Sequence, residues 1–230
     1  MQKLLIANWK AHKNIVQAEH WLNNLPKNLL LKQQKNNIRL LVAPPSLFLS
    51  RMQRLIDHQC LAIELAVQDI SAFGAGAFTG ELAAESLEFL GVKMAIVGHS
   101  ERRRIFHESS QMISEKIRQA QAVKLAVLLC VDETNFAEQA KLLTKAERQS
   151  LLVAYEPASA IGSGQSISAQ KVKDFFAKLR QYFPDNQLLY GGSVKADNVQ
   201  QFLEISDGVL VGGAALELDS FTSLLQNCSL

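Results

Sequence analysis

Short apolar runs alternate along the chain with longer segments whose apolar positions recur at helical spacing. The runs predict strands over Lys3–Ala7, Arg39–Ala43, Ile63–Gln68, Met94–Val97, Leu125–Cys130, Leu152–Tyr155, Gln187–Tyr190 and Gly208–Val211. Most are continuous rather than alternating, as strands covered on both faces should be. Between them, Ala18, Trp21, Leu22 and Leu25 fall at i, i+3, i+4 and i+7, on one helix face. Ser46–Ile56, Ser109–Ala122 and Ser168–Tyr182 each open with a serine able to cap a first turn. No linker, charge block or low-complexity tract divides these alternations. The pattern predicts an α/β fold, a (β/α)8 TIM barrel forming a single domain over residues 1–230. The alternative is a doubly wound open sheet, whose usual dinucleotide fingerprint G-x-G-x-x-G is missing after the first run.

Composition narrows the setting. The 230 residues are 48% hydrophobic and 7% aromatic, enough apolar material for one large core built mainly from Leu, Ala, Val and Ile. With 24 basic and 22 acidic residues there is no electrostatic footprint for nucleic acid or an anionic membrane. An anionic substrate would therefore be held by local groups. Arg102–Arg104 follows Glu101 and reads as part of an ion-pair cluster. Cys60, Cys130 and Cys228 are odd in number and widely spaced, which argues against a disulfide frame or a zinc site and for a reducing cytoplasm. Met1–Ile6 is too short for a signal peptide, and no apolar run approaches the roughly 20 residues of a membrane span.

In a parallel barrel the chemistry belongs just after each strand, at one rim. Asn8-Trp9-Lys10 follows the first strand and puts a cation there. Gly98-His99-Ser100 follows the fourth, where a nearby helix start would favour a neutral, hydrogen-bond-donating imidazole. His12, His20, His58 and His107 read as structural. Tyr155-Glu156-Pro157 follows the sixth; partial desolvation of that carboxylate would make it a stronger base. Ala158–Gln165 is a small-residue stretch suited to a lid or to a passive loop. Gly191-Gly192-Ser193 and Gly212-Gly213 follow the seventh and eighth strands, and together suit a backbone cradle for phosphate. No metal-ligand cluster, nucleophile elbow or cofactor fingerprint accompanies them. The set fits cofactor-free proton abstraction beside a carbonyl in a small phosphorylated substrate.

These segments resemble the triosephosphate isomerase family. The likeness is carried in family order by Asn8-Trp9-Lys10, Gly98–Arg103, Ala154–Pro157, Ala160-Ile161-Gly162, Tyr190–Ser193 and Leu210–Ala214. Gly76–Glu81 is similar to the family's subunit-contact loop. A glutamate base paired with a neutral histidine is a known property of that family. The resemblance implies that Glu156 shuttles the proton between the two reacting carbons and that His99 hydrogen-bonds the carbonyl and enediolate oxygens. It further implies that Lys10 stabilises developing charge, that Asn8 positions oxygens, and that Gly162, Ser193, Gly212 and Gly213 bind phosphate. Glu101, Cys130 and Tyr190 would stand behind these groups. It also implies a homodimer through Asp69–Gly80, with Thr79 supporting the neighbouring site, and no cofactor or metal.

The chain departs from the family at the lid. Ser159 stands where tryptophan is usual, Gln165-Ser166-Ile167 replaces the usual second hinge, Asp132 replaces a glycine, and Glu133–Ser150 is short. The expectation is intact chemistry with altered lid kinetics. Turnover and lid motion in Ser159→Trp measure it, and no change in either would sink it. Two other classes stay open: a different phosphate-binding barrel enzyme, and a non-catalytic binding or adhesion protein. A coupled assay on glyceraldehyde 3-phosphate separates them.

Overall fold

The computed structural model describes residues 2–158 and 166–228. Eight parallel strands, hydrogen-bonded in chain order, close on themselves: β1 Lys3–Asn8, β2 Ile38–Ala43, β3 Glu64–Val67, β4 Val92–Val97, β5 Ala126–Val131, β6 Leu151–Tyr155, β7 Leu188–Tyr190 and β8 Gly208–Val211. The helices are α1 Ile15–Asn23, α2 Lys27–Lys35, α3 Leu49–Gln59, α4 Ser100–Ile105, α5 Ser110–Ala122, α6 Phe136–Lys141, α7 Lys145–Gln149, α8 Ala169–Leu179, α9 Val199–Ile205 and α10 Leu218–Gln226. The barrel is the predicted one. The β3–β4 connection differs, since among its residues only the 3-10 turn Ala84–Leu87 is helical.

Each strand has two buried faces. Leu4, Ile6, Leu41, Ala43, Met94, Ile96, Leu128, Cys130, Ala154, Leu189 and Leu210 fill the barrel interior. Their neighbours Leu5, Ala7, Val42, Ala95, Val97, Leu129, Val153 and Val209 pack outward against the helices. This double burial removes the polar alternation of a half-exposed strand. The seam where β8 meets β1 needs Gly208: a Cβ there would lie 2.3 Å from the Leu4 carbonyl oxygen.

The helix starts follow local chemistry. Ser109 and Ser168 cap α5 and α8, accepting from the N–H groups of Met112 and Lys171. Ser46 does not cap: Pro45 precedes it, Ser46–Phe48 is a 3-10 turn, and α3 begins only at Leu49. Asn14 caps α1 with Gln17 in a reciprocal box, and Ala18, Trp21 and Leu22 form its buried face. Inward parity along β1, β6 and β8 carries Asn8, Glu156 and Gly212 onto the inner side of the C-terminal rim.

Candidate active site

Lys10 leaves β1 in the left-handed region, φ +52°, which a lysine rarely adopts. Its neighbours hold it there. The Asn8 Oδ1 accepts from the Lys10 N–H at 3.0 Å, and the Gln68 amide donates to the carbonyls of Lys10 (2.7 Å) and Ala43 (2.8 Å). The bend brings Lys10 Nζ within 2.5 Å of Glu101 Oε1. Burial pushes the Glu101 carboxyl up, but the Lys10 hydrogen bond and the charges around it hold it below the ordinary range. With its oxygen end occupied, Asn8 has its NH2 left for a ligand.

His99 is the N-cap of α4. Its Nδ1 accepts from the Glu101 N–H at 3.2 Å, which places the ring proton on Nε2. That Nε2 lies 3.1 Å from Glu156 Oε1. The other carboxylate oxygen, Oε2, accepts from the Ser100 N–H at 2.9 Å. The first two N–H groups of one helix thus tie down both the imidazole and the carboxylate, and both side chains are buried.

Behind them lies Cys130, fully buried inside the barrel. Burial, and then the adjacent Glu156 carboxylate, push its thiol well up, so it remains an S–H able to face that carboxylate. Arg103 threads beneath, with Nε donating to the Gly98 carbonyl (2.9 Å) and Nη2 to the Cys130 carbonyl (3.3 Å) and Gln139 (3.0 Å). Arg102 instead joins the cluster of Asp69, Glu108 and Lys116.

Across the cavity, β7 and β8 end in glycines. Gly192 must lack a side chain because a Cβ would lie 2.1 Å from the Tyr190 hydroxyl oxygen. Tyr190 itself points out of the barrel and stacks on Phe202 at 4.0 Å. Gly212 precedes the 3-10 turn Gly213–Ala215, whose first two N–H groups have no partner within the turn and suit an anion. Asn8, Lys10, His99, Glu156, Gly192, Ser193, Gly212 and Gly213 line one cavity of about 420 Å³. Gly162 and Ser159 lie outside the described residues. Two features depart from what the sequence predicts. His12, expected to be structural, lines the cavity. Ser100 serves through its main-chain N–H, which any residue type could supply. Among the described residues, no three or more His, Cys, Asp or Glu side chains are grouped to hold a metal ion.

Comparison with known proteins gives the family. A family model described as Triosephosphate isomerase matches residues 3–228. The chain is similar to the triosephosphate isomerase of Mesomycoplasma hyopneumoniae strain 7448, with 32% identity covering 99% of this chain and all of that protein. It is similar to that of Psychrobacter sp. PRwf-1 at 34%, covering 97% and 98%. It is similar to that of Synechococcus sp. CC9311 at 36%, covering 96% of each. With nearly the full length matched and the barrel closed in the same molecule, the chain belongs to the triosephosphate isomerase family.

Proposed function

We propose that Glu156, His99 and Lys10 carry out the isomerisation and that Asn8, Ser193, Gly212 and Gly213, with Gly162, hold the substrate. The family's activity interconverts dihydroxyacetone phosphate and D-glyceraldehyde 3-phosphate without a cofactor, a step of glycolysis and gluconeogenesis. One observation carries the assignment of roles: Glu156 Oε1 lies 3.1 Å from His99 Nε2 in the cavity that Lys10 and the strand-end glycines also line.

The steps follow from this arrangement. The phosphate dianion sits on the N–H groups of the β7 and β8 loops. The carbonyl oxygen faces His99 Nε2–H and the Lys10 ammonium. Glu156 gives up the Ser100 N–H, takes a proton from one carbon and returns it to the neighbouring carbon. Meanwhile the enediolate oxygens accept hydrogen bonds from His99, Asn8 and Lys10, and His99 gives its Nε2 proton to the former carbonyl oxygen and takes one back from the former hydroxyl oxygen, so the hydroxyl proton changes oxygens as the carbon proton changes carbons. Glu101 keeps the Lys10 ammonium in place. Cys130 and Tyr190 support Glu156 and Gly192 from behind. A coupled assay on D-glyceraldehyde 3-phosphate with Glu156→Gln tests the roles. Near wild-type turnover in that variant would remove Glu156 as the base.

The reading includes a homodimer. In the Asp69–Gly80 loop, Phe73 and Phe78 stack at 4.4 Å and 11° yet are 51% and 43% exposed. Leu47, on the neighbouring β2 loop, is 88% exposed. Apolar groups at such a rim suit a second copy of the chain. Light scattering decides it, and a mass of one chain at all concentrations rejects it. Cytoplasmic residence belongs to the same reading and is supported by three unpaired cysteines. Among the described residues no helix is long and apolar enough to cross a membrane.

A further inference from the structure

The loop between β1 and α1 approaches the start of the phosphate-side turn and is hydrogen-bonded to its end. That turn runs from Gly212 through Gly213–Ala215 to Leu216. At its start, the position a Cβ would take on Gly212 lies 3.5 Å from Lys10 Cε and 3.9 Å from Lys10 Nζ. At its end, Lys13 Nζ donates to the Leu216 carbonyl. A cation suits that end, because the last carbonyls of a helical turn lack partners within the turn and carry partial negative charge.

Lys13 is held there at a cost. Its φ is +73°, a conformation glycine takes freely and lysine does not. Its ammonium stands 5.3 Å from the centre of the fully buried Trp9 ring. Burial lowers its pKa, opposed by the charge of Glu217. A strained backbone and a partly desolvated ammonium would not be expected of a lysine that merely coats the surface. We propose that Lys13 is a positioning residue that holds the phosphate-binding turn at a fixed distance from Lys10 and thereby sets affinity for the substrate's phosphate. The proposal rests on the phosphate-cradle reading given above. Lys13 itself does not line the cavity.

Lys13→Met keeps most of the stem and removes the ammonium; Lys13→Arg keeps a donor. Lys13→Gly relaxes the backbone while removing the same donor, so it separates folding from positioning. Each is assayed with D-glyceraldehyde 3-phosphate, with unphosphorylated D-glyceraldehyde, and with inorganic phosphate as inhibitor. Lys13→Met and Lys13→Gly should raise KM for the phosphorylated substrate and Ki for phosphate about ten-fold, with kcat within about two-fold. The kcat/KM for D-glyceraldehyde should stay within about two-fold, and Lys13→Arg should recover most of the loss. Unchanged KM and Ki, or equal losses on both aldehydes, overturn the proposal. A wild-type chain inactive on D-glyceraldehyde 3-phosphate would overturn the functional reading instead.

Discussion

His99 Nε2 lies 3.1 Å from Glu156 Oε1, and both side chains hang from the start of α4, through the N–H groups of Glu101 and Ser100 respectively. One helix terminus therefore fixes the tautomer of the imidazole and the resting place of the carboxylate. The arrangement joins two side chains that a sequence shows as unrelated positions 57 residues apart.

Shortening the carboxylate should expose how exact that placement is. Glu156→Asp withdraws the base by one methylene while keeping its charge. We expect kcat to fall by about 10²- to 10³-fold with a melting temperature close to wild type. Steady-state kinetics beside thermal unfolding check it. A loss of activity matched by loss of folding would instead make Glu156 a structural carboxylate.

Much of this was legible in the sequence for definite physical reasons. Strands buried on both faces leave unbroken apolar runs, so β1, β4, β5 and β8 show at once. The rule that chemistry follows the strand ends then selects Lys10, His99 and Glu156. Other features leave no local mark. Ser100 acts through its main chain. Lys13 reaches a carbonyl 203 positions away. Ser46 follows two prolines and starts a 3-10 turn instead of a capped helix. The β3–β4 link spends its length on the Asp69–Gly80 loop rather than on an α-helix.

The Lys10–Glu101 pair gives a second test. Glu101 is held below the ordinary carboxylate range, so its contribution is present above the unfolded value and is lost as pH falls through the folded one. Glu101→Gln removes the counter-charge and loosens the Lys10 ammonium. We expect kcat/KM to fall about ten-fold at pH 7.5, with kcat taking the larger share if Lys10 acts on developing charge as proposed. A variant indistinguishable from wild type would show that Lys10 is held by its backbone turn alone.

Gly192 tests the cradle. A methyl group there would sit 2.1 Å from Tyr190 Oη and 2.4 Å from Cζ, and Tyr190 is fully buried against Phe202. The ring cannot retreat cheaply, so the backbone of the β7 loop must move. Gly192→Ala should raise Ki for inorganic phosphate and KM for triose phosphate by about ten-fold or more. Isothermal titration with phosphate reads the effect directly, and unchanged affinity would mean that this loop does not contact the anion.

Asp69 gives a pH dependence of unusual sign. It sits at the base of the proposed dimer loop, with Lys116 Nζ at 2.6 Å and Arg102 Nε at 2.8 Å, and Glu108 shares both cations. Burial pushes its carboxyl from the ordinary 3.8 up to about 6; Lys116 pulls it down and Glu108 raises it. The folded chain therefore keeps a proton on Asp69 that the unfolded chain has already released between about pH 4 and 6. Across that window this group makes the protein less stable as pH rises, opposite to an ordinary salt-bridged aspartate. Asp69→Asn cannot titrate, so the difference between wild type and variant isolates the effect. Between pH 4.5 and 7 the wild type should lose on the order of 2 kcal/mol relative to Asp69→Asn. Urea unfolding of both proteins at one fixed chain concentration measures this, the concentration being held because association would shift apparent stability. Parallel pH profiles for the two proteins would mean that Lys116 and Arg102 hold Asp69 ionised throughout, as an ordinary buried ion pair.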